Sequence, residues 1–180
     1  MSLIGWGVLG FAATCFAIAF GVGILFIFVK TVSYEKKIQS NIELFEAYSI
    51  EQRYKNQFRV LNERAKWQML NYTMFQTMGK GFETLAIVFS VCTLPLLFEP
   101  TPLPFPVIVS LLSITFVILT IYLTPTIRAK EYILGWRDID GHINAILAKD
   151  PSDTGGMSKK FEEIPELILK MERSFHAEER

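Results

Sequence analysis

Apolar and polar positions separate along this chain into long blocks, and three of the blocks are almost free of charge. Residues 3–29 carry none. At about 1.5 Å of rise per residue, that helix outreaches the roughly 30 Å hydrocarbon core of a bilayer. No basic residue precedes the run and no small-residue cleavage site ends it before Lys30, so it reads as a retained helix and not a signal peptide. Two shorter apolar runs, 84–98 and 107–123, are joined by "EPTPLPFP", whose four prolines cannot continue a helix. They predict a helical hairpin with a proline-rich turn. Glu83 and Glu99 bound its first arm near the minimum spanning length.

The polar blocks show helical periodicity. Residues 34–78 contain no Gly or Pro. Within them Tyr54, Phe58, Leu61, Ala65, Gln68, Tyr72 and Phe75 recur four and three apart, a seam with one polar member. Ile38, Ile42 and Phe45 carry the same spacing in another phase, and Ser49 with Gln52 is placed to cap a new helix at the change. This predicts two consecutive helices, or one bent near Ser49. After the hairpin, Tyr132, Trp136, Ile139, Ile143 and Ile146 form a second seam, a natural mate for the first. The linker "KDPSDTGGMSKK" interrupts the pattern, and a last helix follows with Ile164, Ile168, Met171 and Phe175 on one face.

These blocks predict an all-α membrane protein. We divide it into an N-terminal transmembrane helix (1–32), cytoplasmic helices (33–80), the hydrophobic hairpin (81–124), a further cytoplasmic helix (125–150), and a linker with a C-terminal helix (151–180). Charge sets the orientation. Nine Lys and Arg lie between Lys30 and Lys80 and nine more follow Leu123, with none before Lys30 or in the proline turn. The excess of basic residues on the cytoplasmic side places both polar parts inside and the N-terminus outside. Along the first helix Ala13, Ala17 and Gly21 recur every fourth residue beside a ridge of Phe16 and Phe20. Such a small-residue stripe serves close helix packing, either within the chain or between identical subunits.

Composition adds little chemistry. The net charge is zero, which gives no general attraction to nucleic acid. Cys15 and Cys92 lie in apolar runs, where they pack as small hydrophobes. We find no phosphate loop, no metal-ligand set and no nucleophile beside a base, so no cofactor or metal is expected. Glu83, at an apolar boundary, is placed either to line an ion path or to face headgroups.

One polar motif remains, "RDIDGH", with Arg137 and His142 five residues apart. On an ideal helix the two side chains diverge by roughly 140°, which a kink at Gly141 would alter. Histidine moves protons near neutral pH and arginine stabilises charge developing on phosphate. Asp138 and Asp140 oppose RNA binding there, and both offer Arg137 an ion pair instead. His176 is isolated near the C-terminus.

The Arg-x-x-x-x-His spacing is similar to that of HEPN domains, helical modules that act as metal-independent RNases when two copies meet. With the small size, the N-terminal apolar helix and the polar helices, the chain resembles the membrane-embedded, HEPN-like accessory protein of type VI-B CRISPR systems, encoded beside an RNA-guided RNase. That resemblance implies a ring of about eight copies that depolarises the bacterial inner membrane in antiviral defence, with Arg137 and His142 as the HEPN-like pair. Three spans exceed the number usual for that family. The hairpin with flanking helices is also similar to SLATT-type membrane effectors, which usually have two. The sequence thus leaves three functions open: a homo-oligomeric pore, a membrane-tethered ribonuclease, and an accessory subunit of a transporter. It does not decide whether the chain binds RNA directly.

Overall fold

In a computed structural model, residues 3–48, 50–98, 104–150 and 152–169 are described, with no strand among them. Among the described residues the helices follow in the order α1 (Leu3–Glu46), α2 (Gln52–Phe98), α3 (Pro104–Leu123), α4 (Pro125–Leu147) and α5 (Thr154–Glu162), and residues 164–169 are helical after a turn at Glu163. α1 runs unbroken past residue 32 and α2 past residue 80, so each long helix carries apolar and polar blocks without a joint. No proline falls near either boundary, and Gly79, Gly81 and, further on, Pro95 lie within α2 without ending it. The change of phase between the seams falls at the turn from α1 to α2. Glu51 opens α2 by accepting from the amides of Tyr54 and Lys55, and the Lys55 ammonium reaches the Glu46 carbonyl at the end of α1. Ser49 and the hairpin turn at 99–103 lie outside the described residues, as do Met171 and Phe175.

The chain divides into two compact units. The first comprises residues 1–28 and 74–128. Its core gathers Ala12, Leu85, Phe89, Cys92 and Val109, with Val88 and Phe116 against them. α2 and α3 run antiparallel here, because Phe89 stacks on Phe116 while Phe82 also reaches Phe116 and Ser90 meets Ser113. The Ser113 hydroxyl bonds the Ala86 carbonyl as well, at 3.1 Å. α1 approaches α2 closely: a Cβ on Gly23 would stand 3.0 Å from the Thr77 methyl. Glycine is the residue that lets the backbones come so near.

Two segments, within Gly10–Glu46 and Pro106–Leu147, are long and apolar enough to cross a bilayer. Of their most apolar windows only 6% and 11% is buried inside the molecule, unlike the core helix of a soluble protein. The arm 84–98 continues α2 and lies antiparallel against the apolar α3. At 15 residues, about 22 Å of helix, it stands near the minimum spanning length.

The second unit comprises residues 29–73 and 129–180. Its core joins Tyr34, Ile38 and Phe45 of α1, Phe58, Leu61 and Ala65 of α2, Ile139, Ile143 and Ile146 of α4, and Met157 and Phe161 of α5. Phe45 lies at the centre, stacked on Phe58 with ring centroids 4.2 Å apart and tilted against Phe161. Each such fully buried aromatic contributes about 2–3 kcal/mol. Ion pairs of Glu46 with Arg59 and Glu35 with Lys66 bind α1 to α2 as antiparallel neighbours.

Candidate functional site

Arg137 and His142 both lie on α4, which continues through Gly141 without a break. They do not converge. Arg137 is exposed and makes no hydrogen bond or ion pair among the described residues. The His142 Nε2 lies 2.8 Å from the main-chain carbonyl of Lys160, in the last turn of α5. A carbonyl only accepts, so Nε2 carries the proton. His142 thus ties α4 to the carbonyl end of α5, where the Glu163 amide also satisfies the Phe161 carbonyl. Beside it, Lys160 pairs with Glu163 at 2.7 Å. That hydrogen bond, with help from the charges of Lys160, His142 and Lys159, holds the Glu163 carboxyl below the usual range.

The polar chemistry of α4 is instead organised around Asp140. The Lys37 ammonium lies 2.6 Å from Asp140 and stands over the rings of Tyr34 and Trp136. Asn144 donates to the second oxygen of Asp140 at 3.3 Å. The Trp136 indole donates to the Tyr34 hydroxyl at 2.8 Å. Burial pushes that hydroxyl up to about 12, the charge of Asp140 adding to it and the Trp136 donor opposing. Five side chains thus clamp α1 to α4. The pattern of apolar positions gave no sign of Lys37 and Asp140 as partners, 103 residues apart.

The seam residues fall in two groups. Phe58, Leu61 and Ala65 are buried in one cluster with Ile139, Ile143 and Ile146; Tyr54 and Trp136 pack at its edge. Tyr54 also bonds Ser158 at 2.8 Å. Tyr72, Phe75 and Tyr132 are half-buried, and Tyr132 meets the exposed Trp67 edge-on. Gln68 is buried against Gly135, and among the described residues its Oε1 has no hydrogen-bond partner, nor has the Oδ1 of buried Asn62.

On α1, Ala13, Ala17 and Gly21 are all exposed, and among the described residues nothing lies within 4 Å of a Cβ built on Gly21. The face turned toward the rest of the first unit is a different row of small residues, Ala12, Cys15, Ala19 and Gly23. The two rows point roughly 150° apart around an ideal helix. Phe16 and Phe20 are exposed as well, stacked with their rings within 5° of parallel. Glu83 is exposed on α2. Among the described residues no group of three or more His, Cys, Asp or Glu is placed to hold a metal.

No family model matches the chain, and neither the curated proteins nor the solved structures contain a match.

Proposed function

We propose that this chain is a homo-oligomeric pore-forming effector of the bacterial inner membrane, whose output is loss of membrane potential. The observation that carries the reading is the row Ala13, Ala17 and Gly21, which the chain leaves open while a second small-residue row serves its own packing. In lipid no hydrophobic force drives helices together, so such a row favours close contact with another helix. The hydroxyls support a lipid setting. Thr14 and Thr115, both exposed, each donate to a carbonyl one turn back on their own helix, which leaves neither hydroxyl unpaired toward hydrocarbon. The basic residues place the second unit on the cytoplasmic side. A role in antiviral defence beside an RNA-guided RNase rests on the resemblance described above, as does a ring of about eight copies.

The tethered-ribonuclease reading is the weaker one. Its histidine is engaged with a carbonyl, its arginine stands apart, and Asp138 and Asp140 flank both. The test is a potential-sensitive dye in cells expressing the chain with its triggering system. Wild type depolarises the membrane and Gly21→Leu, which fills the open row, does not. Equal depolarisation by both, or none by wild type, overturns the pore. RNA cleavage by purified protein without metal, abolished in His142→Ala, would establish the ribonuclease in its place.

A further inference from the structure

α3 ends at Leu123 and α4 begins at Pro125, so a single residue joins them. That residue, Thr124, has φ of 41°, the sole positive value outside glycine among the described residues. A left-handed backbone brings Cβ against the following carbonyl oxygen, and relative to the ordinary conformation it is disfavoured by roughly five- to thirtyfold. A β-branched side chain makes this worse. The following proline also closes off the simplest escape, because its ring clashes with a preceding residue in the right-handed helical region. α3 therefore does not run straight into α4. Thr124 has two choices, the strained left-handed state and a relaxed extended one.

Two sets of contacts hold the strained state. The Thr124 carbonyl accepts from the amides of Ile127 at 3.0 Å and Arg128 at 3.1 Å, so the first turn of α4 is built on it. Pro125 is fully buried and its ring lies against Gly79 of α2, where an added Cβ would meet it at 3.4 Å and the Thr126 hydroxyl at 3.2 Å. A larger residue at 79 would lift Pro125 away. Strain persists only where the surroundings over-determine it, and it gathers at places that switch.

We infer that Thr124 is a two-state backbone switch at the foot of α3, held in its strained setting by the seat of Pro125 on Gly79 and released when that seat opens. Release turns Thr124 to the extended region and frees the amides of Ile127 and Arg128. In the proposed pore this joint is where the apolar α3 hands over to α4, but the switch does not depend on that reading.

Hydrogen exchange of the full-length protein in lipid nanodiscs tests it, read at Ile127 and Arg128. In wild type these two amides exchange at least tenfold faster than interior α4 amides such as that of Ile143. Thr124→Asn, whose side chain tolerates the left-handed region, slows them roughly fivefold or more and leaves Ile143 unchanged. Gly79→Val speeds them tenfold or more. Thr124→Val keeps the branch, so its exchange matches wild type and guards against a Gly79 variant that fails to fold. Wild-type amides as slow as that of Ile143, or an asparagine variant no slower than wild type, overturn the switch.

Discussion

Gln68 is the polar member of an apolar seam, and its burial against Gly135 leaves an amide oxygen without a partner among the described residues. A buried acceptor left unmade costs about 1–3 kcal/mol, more than a methionine of similar shape would in the same place. Gln68→Met therefore raises the stability of the second unit by about 1 kcal/mol, measurable by denaturant unfolding followed at Trp136. Tyr34 makes a prediction in pH. Its folded value of about 12 lies above the ordinary 10.0, so the stability it lends is complete below pH 10 and is lost as pH rises toward 12. In an absorbance titration of tyrosinate, Tyr34→Phe removes a step near pH 12. An unchanged step there would assign it to another tyrosine.

At the scale of the helix, α1 offers the sharpest contrast between two glycines a half-turn apart. Gly23 faces Thr77 so closely that even a Cβ would press on its methyl, while among the described residues nothing lies within 4 Å of a Cβ on Gly21. Gly23→Leu accordingly disrupts the first unit, by about 2 kcal/mol or more of overpacking, and lowers its thermal midpoint. Gly21→Leu leaves that midpoint unchanged and acts on assembly alone. The reverse result would mean that the outer row is the inner one. The part of each seam that meets in the buried cluster, Phe58, Leu61 and Ala65 with Ile139, Ile143 and Ile146, is legible in the sequence because apolar residues repeat there at the helical period. A row of small residues on α1 is legible too, but not which of the two rows the chain uses, since Ala12, Cys15, Ala19 and Gly23 are as small as Ala13, Ala17 and Gly21. Boundaries drawn at 32 and 80 marked changes of polarity, and polarity does not end a helix that lacks a breaker. The partners of His142 and Asp140 were not legible either. Lys160 and Lys37 are two of many lysines, and tertiary packing alone selects them.

For the molecule as a whole, the two units differ in what covers them. The first exposes Phe11, Ile18, Val22 and Leu25 on α1 and Ile114, Ile118 and Ile121 on α3. A water-soluble monomer rarely leaves contiguous apolar surface of that extent bare. The second unit closes around Phe45 and keeps its ion pairs outward, as a domain in water does. Lipid over one unit and water over the other would reconcile the two surfaces in a single chain, and in the proposed pore the open row on α1 supplies the contact between copies. The most direct measurement is the mass of the purified full-length protein in lipid nanodiscs. The account predicts one closed assembly of several copies for wild type and single copies for Gly21→Leu. Single copies of wild type, or protein that stays dispersed in buffer with neither lipid nor detergent, would contradict it.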